Sequence, residues 1–241
     1  MPRGQPDFGA YAAETYVTGM SDMAELAARL GSIVLFDRKG KVVDLDDFEA
    51  PLLKWRTTVA GSATIALDDT QPKSGAQGVK IYSSGAEGDA AYIRKGFIAL
   101  PSKRIGTEIS FSLASNKTSF HAKLDYYNGA VQYRCYVKLD FTDNKIYYRP
   151  SGGGWTELAE ITAIHSLSWT FTPVKVVADF DTGYYVKLIL GSVEYDMTDL
   201  AMQFTGDTTY PRFFIEYRLD READGEGQIY LDDFILTQDE P

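Results

Sequence analysis

The residues best suited to binding a ligand occupy alternating positions in strand-like segments of the second half of the chain. They combine rings, guanidinium groups and carboxylates, and they are His121, Asp125, Tyr127, Arg134, Tyr136, Glu216 and Arg218. Aromatic rings stack on sugar faces, while Arg and Asp form hydrogen bonds with hydroxyl groups. A glycan-binding face is one interpretation. A protein-binding surface rich in Tyr and Arg is a second, and the ordinary wet face of an antiparallel sheet is a third.

Catalytic chemistry has less support in the sequence. A retaining glycosidase needs two carboxylates about 5 Å apart, whereas Glu108, Asp125 and Glu216 each stand alone on a different segment and would have to converge on one polar face. The only two histidines are far apart, and no Ser lies in a Gly-x-Ser-x-Gly elbow. The Gly-rich segment before Trp155 lacks the Lys-Ser/Thr of a phosphate loop and predicts a turn. We therefore expect no enzymatic activity, with a glycoside hydrolase or lyase using Glu108 or Glu216 as the alternative.

The amino-acid composition limits the classes of partner that the chain can bind. The 241 residues include 34 Asp and Glu against 24 Lys and Arg, a formal charge of −10. Such a chain repels a phosphate backbone unless a local basic patch reverses the field, and no run of Lys and Arg interleaved with aromatics provides one. Cys135 is the only cysteine and alternates with apolar neighbours, so we expect it to be buried and inert. The chain has neither a signal-peptide h-region nor a run of eighteen apolar residues, which predicts synthesis in the cytoplasm and no membrane insertion.

The first part of the chain differs from the rest. Residues 1–20 have no helical or strand period and predict an extended arm, and a capping-box pattern predicts a helix over residues 22–30. Ile33–Phe36 and Val42–Leu45 then predict a hairpin. We assign 1–43 to an assembly segment and 44–241 to a β-sandwich domain. The side chains expected at subunit contacts are Phe8, Tyr11, Tyr16 and Leu26.

Hydrophobic alternation of period two dominates from residue 105 onwards. It is clearest in Ile105–Leu113, Phe120–Tyr126 and Val131–Phe141, with an Asn-Gly turn between the last two. Further strands are predicted at Lys145–Arg149, Val174–Phe180, Tyr184–Leu190, Val193–Met197, Phe213–Leu219 and Gln228–Thr237. Many strands without intervening helices predict an all-β fold of two stacked antiparallel sheets.

Three segments carry a resemblance to known families. Asp46–Glu49 followed by Trp55, and Gln228–Leu236, resemble the opening and closing strands of jelly-roll carbohydrate-binding modules, and Lys73–Ile81 looks like their loop and third strand. Trp169–Tyr195 is similar to the back strands of laminin-G and concanavalin-like sandwiches.

The resemblance, over residues 44–237, implies a jelly roll whose first and last strands lie side by side. It also implies a structural Ca²⁺ held by Glu49 and Asp233, with Asp47 and Asp232 as further ligands; the carboxylates and loop carbonyls would supply the hard oxygens that Ca²⁺ prefers.

The order of arm, helix and sandwich also resembles virion structural proteins of tailed bacteriophages. That resemblance implies a non-enzymatic protein on the surface of a phage-like particle, which assembles as a homo-oligomer or with other particle proteins. The alternative is a carbohydrate-binding module that recognises a glycan on its polar sheet face.

Overall fold

A computed structural model of the protein describes residues 40–83, 89–115, 117–162, 170–221 and 226–241. These residues form sixteen strands and a single 3₁₀ turn at Leu52–Lys54. No helix in this part of the chain is long and apolar enough to cross a membrane. Several predictions concern residues outside these ranges: the extended arm, the helix over 22–30 and the first half of the hairpin. The same is true of His165 and of the expected contact residues Phe8, Tyr11, Tyr16 and Leu26.

The strands, numbered β1 to β16 in chain order, form two antiparallel sheets. Sheet I has the order β13 (Val193–Asp196), β12 (Tyr184–Leu190), β11 (Thr172–Asp179), β6 (Arg104–Leu113), β16 (Gly227–Gln238), β4 (Gly78–Ser83) and β3 (Thr64–Asp68), with β1 (Lys41–Asp46) also beside β16.

Sheet II has the order β10 (Thr156–Glu160), β9 (Lys145–Tyr148), β8 (Val131–Asp140), β7 (Thr118–Tyr127), β15 (Arg212–Arg221), β5 (Ala90–Ile98) and β2 (Arg56–Ala60), with β14 (Gln203–Gly206) also beside β8. The predicted all-β, two-sheet antiparallel sandwich is confirmed.

The core lies between the sheets and follows the predicted alternation. Phe111 of sheet I stacks on Phe120 of sheet II with ring centroids 5.1 Å apart, and Phe120 stacks in turn on Tyr217 at 6.0 Å. Cys135 is fully buried, as predicted, and burial raises the pKa of its thiol. The inward side chains are therefore committed to packing, which leaves the outward positions for function.

The opening and closing segments meet, as the resemblance implies. β1 pairs with β16 from Lys41 onwards, so the domain boundary assigned before residue 44 falls inside a strand. The indole Nε1 of Trp55 donates to Asp46 at 3.0 Å, and its ring packs edge-on against Phe234 at 4.9 Å.

Part of the outer face of sheet I, the side that points away from the core, is covered. Ser110 and Ser112 of β6 are buried there, because Lys73 donates to Ser110 at 2.9 Å and Gln71 to Ser112 at 3.3 Å. On the adjacent strand, Lys175 forms a buried ion pair with Glu240 at 2.7 Å. The segment before β4 and the residues after β16 thus cover β6 and Lys175 on this face.

Candidate functional site on the outer face of sheet II

The outer face of sheet II carries polar and aromatic side chains from strands far apart in sequence. Alternation on β7 and β8 turns Leu124 and Cys135 into the core and their neighbours outward. The antiparallel register then places Arg94 opposite Glu216, Glu216 opposite Lys123, and Lys123 opposite Tyr136. A row of functional groups therefore crosses the sheet at right angles to its strands.

Asp125 is the centre of the hydrogen-bond network on this face. It is 6% exposed. Its Oδ1 accepts from the Tyr136 hydroxyl at 2.7 Å and from the Gln132 amide at 2.9 Å, and Arg94 approaches its Oδ2 at 3.3 Å. Burial raises the pKa of Asp125, and burial together with the Asp125 charge raises the pKa of Tyr136. Asp125 therefore fixes the positions of its three donors.

The second acid of the face, Glu216, is paired with a cation. Lys123 donates to Glu216 at 3.0 Å, and its ammonium lies 5.3 Å from the centre of the Tyr136 ring. Asp125 and Glu216 lie on the same face, but the full convergence that a site using Glu108 would need does not occur, because β6 places Glu108 on the outer face of sheet I, across the core.

One end of the face is formed by His121 and Trp155. The His121 ring is buried, shares a 2.9 Å hydrogen bond with the Ser119 hydroxyl, and meets the Trp155 ring edge-on at 5.4 Å. Burial, followed by the charges of Lys123 and Arg218, holds the pKa of His121 well below its ordinary value. The imidazole is therefore neutral at neutral pH, and the Trp155 ring beside it is 37% exposed.

A glycine turn positions Trp155. Gly153 and Gly154 have φ angles of 78° and 75°, in the left-handed region that side-chain-bearing residues avoid. The sequence predicts this turn, but it does not show that the following Trp returns to the sheet beside Lys138 and Arg149.

The opposite end of the face is a pocket of about 270 Å³. Its lining residues are Arg56, Arg94, Gly96, Tyr127, Arg212 and Phe214. The guanidinium groups of Arg94 and Arg212 lie 4.1 Å and 4.8 Å from the centre of the Phe214 ring. A Cβ at Gly96 would come within 2.9 Å of that ring, so glycine is needed for the ring to lie across β5.

Positive side chains gather on this face of an acidic protein. Its cations include Arg56, Arg94, Lys123, Arg134, Lys138, Arg149, Arg212 and Arg218, and its acids include Asp125, Asp140, Asp207, Glu216 and Asp220. The cations come from separate strands, so they form no run in the sequence.

All the residues predicted for the polar face lie on this surface, and their ligand-binding role stays a prediction. Arg134 donates to Gln132 at 2.8 Å, and Arg218 pairs with Asp220. Sequence reasoning missed Trp155, Phe214 and the arginines of the pocket. Arg212 and Phe214 lie on β15 and alternate with the same period as Glu216. That period is the signal that could have identified them.

The predicted calcium ligands on β16 already have partners. Asp232 accepts backbone N–H groups from Lys73 at 2.8 Å and Ser74 at 3.1 Å. Asp233 binds the Lys73 ammonium at 2.6 Å and the Ser74 hydroxyl at 2.8 Å. Burial raises the pKa of Asp232 to about 6. A lysine ammonium thus occupies the position at Asp233 that the resemblance assigns to a metal.

The other two predicted ligands also face amide donors. Glu49 accepts N–H groups from Ala76 at 2.7 Å and Gln77 at 3.0 Å, and Asp47 accepts the N–H of Glu49 at 3.2 Å. Among the described residues there is no group of three or more His, Cys, Asp or Glu that could hold a metal ion. This arrangement does not fit Ca²⁺.

Comparison with known proteins identifies the fold. No protein-family model and no curated protein sequence matches the chain. Among solved structures, it is similar to a Bacillus subtilis protein of unknown function with a galectin-like fold (TM-score 0.54, 11% identity, covering 83% of this chain and 97% of that one). It is also similar to the endo-β-1,4-glucuronan lyase of the fungus Trichoderma reesei (0.53, 13%, 82% and 96%).

A third similar structure is a sialidase (TM-score 0.53, 10% identity), of which this chain covers only 19% while 86% of this chain is matched. The fold is a jelly-roll, concanavalin-like β-sandwich. At these identities the similarity establishes architecture alone.

Proposed function

We propose that this protein binds glycans on the outer face of sheet II. The observation that carries the proposal is the accessible Trp155 ring at one end of a hydrogen-bonded polar network, with the half-buried Tyr127 ring at the other end. Trp155 packs on His121, six residues from Tyr127 along β7, so the two rings are separated by about 20 Å at ~3.3 Å per residue. Several consecutive sugars fit that span.

The network between the rings suits a sugar chain because its groups are held in place before binding. Asp125 fixes Tyr136, Gln132 and Arg94, and the pair Lys123–Glu216 completes the row. Ligand sites combine flat apolar surfaces with a few fixed polar groups, and preorganised groups lose less entropy on binding.

Binding without turnover is the simplest use of this face. Asp125 accepts hydrogen bonds from Tyr136, Gln132 and Arg94, and Glu216 is paired with Lys123, so both carboxylates already have partners. The virion role predicted from the sequence gains no support from the similar structures or from the described residues, and we do not propose it.

The test is binding of the full chain to a panel of soluble oligosaccharides by calorimetry. We expect Trp155→Ala and Tyr127→Ala each to weaken binding of the best ligand by at least tenfold, because each removes a stacking ring. Tyr184→Ala on sheet I is the matched control, with 42% exposure against 37% for Trp155, and should leave affinity unchanged. Equal affinity of all three variants and the parent chain would contradict the proposal.

A further inference from the structure

The pocket at the Tyr127 end of the face concentrates positive charge. Arg56 and Arg94 are directly opposite each other on β2 and β5. Like charges in such a cross-strand pair destabilise a sheet. The guanidinium of Arg212 lies over the same Phe214 ring as that of Arg94, so three cations surround one small space.

Few acids compensate these cations. Asp125 pairs with Arg94, and Asp207 interacts electrostatically with Arg212, but no carboxylate of the described residues forms an ion pair with Arg56 or Arg212. The Nε donors of Arg94 and Arg212 are buried without a hydrogen-bond partner. The pocket therefore has positive charge that an anion would complement.

We propose that this pocket binds the carboxylate of an acidic sugar, so that the face selects uronic-acid-containing glycans. This inference rests on the glycan-binding function proposed above. A planar guanidinium binds a carboxylate through two parallel hydrogen bonds. The Tyr127 and Phe214 rings supply an apolar wall for the attached sugar ring.

The size of the pocket supports a single sugar unit. Its ≈ 270 Å³ lies just below the range of about 300–1,000 Å³ typical of sites for drug-sized ligands. The pocket continues into the row of Glu216, Lys123 and Tyr136, because Arg94 is opposite Glu216 on the neighbouring strand. The acidic sugar thus binds in the pocket, and the neighbouring sugars of the glycan lie over the rest of the face.

The experiment compares an oligouronate with the same oligosaccharide after its carboxyl groups are reduced to alcohols. Both are titrated against the parent chain and against R56Q/R212Q, which keeps the Arg94–Asp125 pair. R104Q/K187Q is the control that removes two positive charges from sheet I. Circular dichroism establishes that each variant is folded.

We expect the parent chain and the control to bind the oligouronate at least tenfold more tightly than its reduced form. R56Q/R212Q should bind the two equally and retain the affinity of the parent for the reduced form. Preserved acid preference in R56Q/R212Q would overturn the assignment to this pocket.

Other results would each overturn a defined part of the proposal. Equal binding of the two glycans by the parent chain would disprove carboxylate selection while leaving glycan binding intact. Failure of the parent chain to bind any glycan would disprove the proposed function itself. Equal or tighter binding of a sulfated glycan, or of a single-stranded oligonucleotide, would mean that the pocket recognises negative charge of another source.

Discussion

The two outer faces of the sandwich have similar alternating polar residues but different structural roles. On sheet I, Ser110 and Ser112 are covered by the segment that contains Gln71 and Lys73. On sheet II, a network centred on Asp125 leaves rings and guanidinium groups accessible. Alternation shows which side chains leave the core, but the covering segments decide which of them can meet a ligand. Changes on sheet I should therefore affect folding, and changes on sheet II should affect binding.

The largest effect should come from the buried ion pair of sheet I. Glu240→Gln removes the carboxylate that binds the buried Lys175 ammonium and leaves only Glu108, opposite Lys175 on β6, as a neighbouring acid. We expect a loss of about 3 kcal/mol in the free energy of unfolding, measured with urea. A loss below ~1 kcal/mol in this variant would indicate that the outer face of sheet I is not closed by this pair.

Asp232, also on sheet I, should make stability depend on pH. Its pKa is raised to about 6, so between about pH 4 and 6 the folded state holds a proton that the unfolded state has released. Stability should consequently fall as pH rises through this window, by up to about 3 kcal/mol relative to Asp232→Asn. The difference between the two unfolding curves measures the effect, and parallel curves at every pH would exclude it.

Asp125 of sheet II is the exception that should affect both folding and binding. Asp125→Ala removes the acceptor of Tyr136, Gln132 and Arg94, and we expect about 2 kcal/mol of destabilisation. Tyr136→Phe loses one hydrogen bond and should cost about 1 kcal/mol. Glycan affinity should fall in both variants. A stability loss with unchanged affinity would make the network structural, as on sheet I.

The smallest change in stability should come from adding or chelating calcium. The Lys73 ammonium already binds Asp233, and the backbone N–H groups of Ala76 and Gln77 donate hydrogen bonds to Glu49. Adding EDTA or Ca²⁺ should therefore leave the thermal unfolding midpoint unchanged. A rise in the midpoint with Ca²⁺ would restore the metal site that the family resemblance implies.

Much of the sandwich could be predicted from the sequence, because long strands with one buried face have a clear period. The predicted strand Phe120–Tyr126 lies inside β7. The predicted strand Val131–Phe141 covers β8 and the residue that follows it. The sequence does not predict β5, because its inward-facing positions include Lys95. This side chain is buried, and its ammonium lies 5.3 Å and 5.4 Å from the centres of the Trp55 and Phe234 rings. A charged residue facing the core conceals the pattern.

The candidate site was only partly predictable. Tyr127 and Tyr136 stand out by residue type and alternation, but the pocket requires the register between β2, β5 and β15. Arg56, Arg94 and Arg212 are separated by long stretches of sequence, so their proximity is a property of strand order. Strand order cannot be derived from alternation.

The position of β16 has a consequence for how the chain folds. This last strand is central in sheet I, with β6 on one side and β4 and β1 on the other. During synthesis those earlier strands emerge with unpaired edges and must wait for residues 227–238 before sheet I is complete. Pairings of such high sequence separation slow folding and expose strands to aggregation. A ribosome-bound chain that ends before residue 227 should therefore depend on chaperones, while the released chain does not.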